Sequence, residues 1–374
     1  MAIKYLYLDD ENIASLEPLI DGICEGSDEL AIVVKHPKDF EDNIDNLSDM
    51  LSDFDGVILD WRLDEIQGSA GRAKFRAGSL AQEIRTRATG KEINDLPIVL
   101  WSTNEKLQVS YKGDDTSHDL FDEIYLKERI AQEPLRAKNQ LISLGKGYTN
   151  LRTLPEKNNL RLALGEPLDR ISYLDVNFTA TLSQYEDVKV PVHKIARFIL
   201  NECIHRPGLL IDEKYLGAKL GVDIEQSTDW PRLRDDFLKV AKYNGVFHDS
   251  WERWWLSEIL EWWTNLGNVK PVSRYNAIER VKILQEHLKL TNLQAAAPIM
   301  DHYSSSYDTV CQHYQRPLDK LDGVMINEEE PKSWQDRRYL SLKAILTREY
   351  KDTNKWAPHP IELERLEELR KSSQ

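Results

Sequence analysis

The sequence predicts two regions of different class: an N-terminal α/β domain on a five-stranded parallel sheet, and a mainly α-helical C-terminal domain. Three observations carry this. Five short, almost continuously apolar runs recur through the first third of the chain, separated by helix-period stretches. Such runs suit strands buried on both faces, as in a parallel sheet. From Pro191 onward the apolar spacing becomes helical. The charge changes as well: residues 1–130 hold 28 Asp and Glu against 14 Lys and Arg, and the remainder holds 35 of each, so all of the net charge of -14 lies in the first third.

The five runs are IKYLYL (3–8), LAIVV (30–34), GVIL (56–59), PIVLW (97–101) and EIYL (123–126). Between them, Ile13, Leu16, Leu19 and Ile20 mark one helix, Phe40, Ile44, Leu47 and Leu51 a second, and Leu80, Ile84 and Arg85 a third. After the fifth run, LRAKNQLISLGKG is amphipathic, and its glycine pair predicts a helix stop. The boundaries expected are residues 1–146 for the α/β domain, 147–190 for a connector, and 191–374 for a helical, tryptophan-rich domain.

Composition excludes several classes. A negative field repels nucleic acid and anionic lipid, so neither is expected as a partner. Cys24, Cys203 and Cys311 are odd in number and far apart. That argues against a disulfide framework or a paired-cysteine zinc site, and it fits a reducing cytoplasm. There is no N-terminal signal pattern, and no apolar run approaches the ~20 residues of a membrane span.

The polar residues at the ends of the runs are the informative ones. Asp9, Asp10 and Glu11 follow the first run, Asp60 the third, Ser102 and Thr103 the fourth, and Lys127 the fifth. In a parallel sheet the binding crevice lies beyond the carboxyl ends of the strands, and right-handed crossovers bring these ends to one rim. Carboxylates gathered there repel one another unless a cation joins them; a hard divalent ion with oxygen ligands suits that role. A lysine and a hydroxyl on the same rim complete a site for a phosphoryl group.

The ordered set YLDDE (7–11), VILDWRL (57–63), PIVLWST (97–103) and IYLKE (124–128) resembles the CheY-like receiver domain of two-component response regulators, over about residues 1–146. The resemblance implies a flavodoxin-like sheet and phosphoryl transfer from a sensor histidine kinase or phosphotransfer protein. It implies that Asp60 is the phosphoacceptor and that Ser102 is a switch hydroxyl. Lys127 would pair with the phosphate. Mg²⁺ would be held by Asp9, Asp10, Asp60 and the backbone carbonyl of Arg62. The chain departs from the family pattern at Glu128, where proline is usual, and at Ile124, where an aromatic is usual, with Tyr125 beside it. The segment after Asp60 is longer than usual and carries Arg72, Lys74 and Arg76. A degenerate receiver, folded alike but acting as an unphosphorylated scaffold, is the alternative implied by these departures.

The C-terminal half resembles no output family. DSWERWWLSEILEWWTNLG (249–267) predicts a central helix buried on most sides, against the alternative of an aromatic platform. YLGAKLGVDIEQSTDW (215–230) has a KLGVD turn like that of a helix-turn-helix, but its second half carries Asp223, Glu225 and Asp229, poor chemistry for phosphate contacts, and a local helical hairpin is expected instead. His302, Cys311 and His313 fit no zinc spacing; an output enzyme using Cys311 and His313 is a further alternative, as is a DNA-binding regulator. The expected function is signalling, with a helical half that interacts with a partner or with a second copy of the chain.

Overall fold

A computed structural model of the chain describes residues 2–26, 28–63, 75–103, 119–155, 159–165, 175–185, 190–267, 269–353 and 356–372. The chain forms two compact units that interleave along the sequence. Unit 1 takes Met1–Leu168, Thr181–Asn201 and Asn244–Trp251; unit 2 takes Asp169–Ala180, Glu202–Tyr243 and Glu252–Gln374.

Unit 1 is built on strands β1 (Ile3–Leu8), β2 (Leu30–Lys35), β3 (Gly56–Asp60), β4 (Ile98–Ser102) and β5 (Glu123–Leu126). They form an all-parallel sheet in the flavodoxin-like order β2-β1-β3-β4-β5. Every residue of β3 and β4 is buried, whereas the edge strands β2 and β5 alternate between covered and open positions. This is why the central runs are continuously apolar and the edge runs are not. Helices α1 (Ile13–Cys24), α2 (Phe40–Asp45), α3 (Leu47–Leu51), α4 (Ala77–Gly90), α5 (Lys127–Gln132) and α6 (Pro134–Thr153) complete the α/β layer.

The expected stop at the glycine pair is absent, because α6 runs on to Thr153. Both glycines are there for close packing. A Cβ at Gly145 would lie 2.5 Å from the Ile3 side chain, and one at Gly147 would lie 2.2 Å from the Phe247 ring. Each costs about 1 kcal/mol of helix propensity, and the approach of β1 on one side and residues 244–251 on the other requires it. Three hydrogen bonds fasten that second segment: Val246 N–H to the Ala163 carbonyl, the Ser250 hydroxyl to the Asn139 carbonyl, and the Ser143 hydroxyl to Asp249. The region read as a connector contains α7 (Asn159–Ala163) and α8 (Val176–Gln184), and α9 (Val192–Arg197) follows it.

At the amino ends of β4 and β5 sits a buried ion network. Arg85, on α4, reaches Asp95 at 3.1 Å and Asp122 at 2.7 Å. It also donates to the Leu96 and Leu120 carbonyls. Tyr148 donates to Asp122, and Asp95 accepts from the His193 backbone N–H at 2.8 Å and meets its ring Nδ1 at 2.7 Å. Burial pushes the Asp95 carboxyl up, but His193 and Arg85 outweigh it and hold it below the ordinary carboxylate range.

Unit 2 is a helical region with small antiparallel ladders. Its helices are α10 (Glu213–Leu220), α11 (Leu256–Thr264), α12 (Ala277–Leu288), α13 (Leu342–Leu346) and α14 (Leu363–Ser372). The ladders pair β6 (Leu210–Ile211) with β7 (Trp254–Trp255), β8 (Thr309–Val310) with β9 (Pro317–Leu318), and β10 (Gly323–Met325) with β11 (Tyr339–Ser341). The predicted tryptophan helix is therefore only its second half. Trp254 and Trp255 lie in β7, where backbone pairing with β6 replaces helical hydrogen bonds, and Trp251 belongs to unit 1. The tryptophans themselves are core: Trp254, Trp255 and Trp263 are buried, and the Trp263 indole N–H donates to the Lys270 carbonyl.

Three further elements differ from their spacing. The run WPRLRDDFLKVAKYNG (230–245) has the proline start and glycine end of a single helix, yet only 230–237 are helical before the chain turns to 3-10 and extended backbone. SWQDRRYLSLKAILTREY (333–350) is patterned as one amphipathic helix, but Tyr339–Ser341 is strand and only α13 is α-helical. On α12 the helical spacing puts Ile278, Val281, Leu284 and Leu288 on one stripe, yet Ile278 is exposed and Arg280 is buried. Arg280 donates to the carbonyls of Val272, Ala218, Lys219 and Tyr307, two of them in the last turn of α10. The tail docks through Leu366 against Val324, Leu340 and Ile345. No described helix is long and apolar enough to cross a membrane.

Replacing Arg85 by Leu strands two buried carboxylates and is expected to cost about 3–5 kcal/mol at neutral pH, read by urea unfolding. The Asp95 contribution is present above its ordinary pKa of 3.8 and is lost as pH falls through its lower folded value. The gap between wild type and Arg85→Leu should therefore narrow below about pH 4.

Candidate functional site

The strand register brings the polar ends together. In β1 and β3, Leu8 lies opposite Leu59, so Asp9 comes level with Asp60. Asp60 pairs with Trp101, and Ser102 pairs with Leu126, one residue before Lys127. Residues separated by more than 100 positions thus share one rim at the carboxyl ends of the sheet.

Lys127 is the centre of that rim. Its Nζ lies 2.8 Å from Asp9 Oδ2, 3.0 Å from Glu11 Oε1 and 3.1 Å from Asp60 Oδ1. Burial alone would lower the ammonium pKa, but the charges of Asp60 and Asp9 outweigh it and hold the value above that of an ordinary lysine. The Asp9 and Asp60 side chains are fully buried. The two carboxylates present oxygens within 4.8 Å of one another and at that range repel by about 3–4 kcal/mol at an effective dielectric of about 20, a repulsion that the ammonium between them offsets.

The remaining contacts fix the acids. Asp9 Oδ1 accepts the Glu11 backbone N–H at 2.9 Å, and Asp9 Oδ2 also accepts the Tyr7 hydroxyl. Asp60 Oδ2 accepts the Arg62 backbone N–H at 3.0 Å. Burial and the neighbouring Asp9 push the Tyr7 hydroxyl pKa well up, so it remains a donor at neutral pH. The Ser102 hydroxyl is buried on β4, with no hydrogen-bond partner among the described residues.

Asp9, Glu11 and Asp60 present one oxygen each within 4.8 Å of one another, the described group whose spacing suits a metal ion. Oxygen donors of this kind fit a hard cation. Three carboxylates against one ammonium leave a formal deficit of two positive charges, which one divalent ion would fill. Asp10 is buried at the same strand end but is not one of the trio. Sequence reasoning did not assign a role to Glu11 or Tyr7. Glu11 was visible as the last acid of the DDE run. Tyr7 was visible as a tyrosine in a buried strand, where a hydroxyl requires a partner.

Other candidates fare differently. A cleft of about 720 Å³ lies at the opposite end of the sheet, lined by Leu51, Ser52, Lys91, Asn94, Asp95 and Arg152 among others, and the acidic trio is not in it. In unit 2, Cys311 is fully buried in a cluster with Ile299, Tyr303 and Leu318, and its Sγ accepts the Ser341 N–H at 3.2 Å. A nucleophilic thiol needs access to its substrate, which a fully buried position does not offer. The predicted helical hairpin at 215–230 is also absent: α10 ends at Gly221, and Asp223 then caps a turn through the N–H groups of Glu225 and Gln226. Arg72 and Lys74 lie outside the described residues.

No protein-family model matches this chain, and no curated protein matches it. Among solved structures, it is similar to NtrX from Brucella abortus, crystallised in complex with ADP, at 19% identity and a TM-score of 0.27. That likeness covers 44% of this chain and 34% of NtrX. Similarity at this level assigns no activity, so the chemistry must follow from the rim itself.

Lys127→Met keeps the aliphatic stem and removes the charge. It is expected to cost about 3 kcal/mol or more in urea unfolding at neutral pH, with part of the loss recovered when Mg²⁺ is added. Unchanged stability would mean that the carboxylates do not depend on this ammonium.

Proposed function

We propose that unit 1 is a receiver-type phosphoacceptor, with Asp60 the residue that takes the phosphoryl group. The observation that supports this best is the single contact set in which Lys127 meets Asp9, Glu11 and Asp60, with the Ser102 hydroxyl on the adjoining strand. In the proposed step, a carboxylate oxygen of Asp60 attacks the phosphorus of a phosphohistidine on a partner kinase or phosphotransfer protein. The new O–P bond forms as the P–N bond breaks, and the imidazole leaves with its electron pair and takes a proton from water. Lys127 holds Asp60 before the step and pairs with phosphoryl oxygens after it. Ser102 donates its O–H to another of those oxygens.

Asp9, Glu11 and Asp60 would hold Mg²⁺, with Asp10 and the Arg62 carbonyl as further oxygen donors. When bound, the ion supplies positive charge to the phosphoryl oxygens. This chain's own contribution is alignment and a low-dielectric setting, which together supply most of the rate in such transfers. The added phosphate charge beside Lys127 and Ser102 biases the surface around them. The helical unit then interacts with a partner or a second copy in response. A cytoplasmic setting accompanies this reading.

The test is incubation with a small acyl-phosphate donor, with and without Mg²⁺, followed by intact-mass measurement. One phosphoryl group, acid-stable and base-labile, is expected on the wild type with Mg²⁺ and is expected to be lost in Asp60→Asn. Failure of the wild type to take up phosphate would overturn the proposal and leave an unphosphorylated scaffold as the reading of unit 1.

A further inference from the structure

We infer that Tyr7 is a positioning residue for the cation site, its hydroxyl setting the Asp9 carboxylate so that Asp9, Glu11 and Asp60 present their oxygens together. The inference rests on the proposal that this rim takes a divalent ion. Tyr7 is fully buried in β1, and it lies two residues before Asp9. Its hydroxyl donates to Asp9 Oδ2, the oxygen that also meets Lys127 Nζ, while Asp9 Oδ1 accepts the Glu11 N–H. Three donors therefore fix the rotation of one carboxylate.

The three donors are not equivalent. Lys127 is shared with two other acids and must redistribute its contacts when a cation or phosphoryl group arrives. The Glu11 N–H belongs to the turn before α1. Tyr7 alone is anchored in the sheet, with Val34 on one side and Ile58 on the other. Its ring is braced edge-on by Trp101, centroids 4.9 Å apart and planes at 66°. Trp101 in turn pairs with Asp60 in the β3–β4 register. The brace thus joins the strand end that carries Asp9 to the one opposite Asp60. Phenylalanine would fill the same apolar space, so packing explains the ring and leaves the hydroxyl to be explained by Asp9.

Donors behind a ligand carboxylate orient it, and their loss typically weakens metal binding by about 10–100-fold. The experiment is a Mg²⁺ titration followed by intrinsic tryptophan emission, since Trp61 adjoins Asp60. Tyr7→Phe keeps the ring and is expected to raise the apparent Kd about 10-fold or more, with little change in the thermal midpoint. Tyr148→Phe, which removes a buried tyrosine hydroxyl from the network at the opposite end of the sheet, should bind as the wild type does. Tyr7→His, which keeps a ring N–H donor, is a second variant and should bind more tightly than Tyr7→Phe. Wild-type affinity in Tyr7→Phe, or equal weakening in Tyr7→Phe, Tyr7→His and Tyr148→Phe, would overturn the inference. A wild-type protein that does not respond to Mg²⁺ would instead overturn the cation proposal on which the inference rests.

Discussion

One ammonium group among three carboxylates is the constraint that the rest of unit 1 answers to. Asp9 and Asp60 are wholly withdrawn from water, and the parallel topology allows no other arrangement, because the ends of β1 and β3 are neighbours in the sheet. Burying two acids side by side without a counter-charge costs a large share of a small domain's margin of stability. Lys127 supplies one positive charge where three negative ones meet. The deficit that remains is one that a divalent ion at the Asp9, Glu11 and Asp60 oxygens would fill.

The other end of the sheet solves the same problem differently. There Arg85 meets Asp95 and Asp122, and its remaining donors are taken by backbone carbonyls, so the group is internally complete. Asp122 immediately precedes β5 and Lys127 immediately follows it. A four-residue edge strand is thereby fastened at both ends by buried charge. Arg85 has a planar fork that fits several acceptors at fixed angles, whereas a lysine is a compact charge that can shift between partners. The residue types match a closed network at the base and an exchangeable one at the rim.

Much of unit 1 was legible because its signals are local and repeated. Continuous apolar runs marked buried parallel strands, and polar residues directly after the first, third, fourth and fifth runs marked the rim. What the sequence could not convey was depth and partnership. Glu11 was visible only as one of the acids after the first run, and nothing local shows that the turn after Asp9 carries it to Lys127. Tyr7 looked like another apolar strand residue. Gly145 and Gly147 read as a helix stop, since nothing local reveals that Ile3 and Phe247 will press against them. In unit 2 the failures share a cause: short ladders such as β6–β7 depend on pairing between segments more than 40 residues apart, and helical periodicity cannot register that. Arg280 is the same lesson in a single side chain, a charge on the inner face because four distant carbonyls await it.

The most direct test of the central claim is a crystal structure of the protein grown with Mn²⁺, read by anomalous scattering. The account expects a peak among the carboxylates of Asp9, Glu11 and Asp60, with Lys127 still in contact with at least one of them. An anomalous map with no peak at this rim, while Lys127 keeps all three carboxylate contacts, would contradict it.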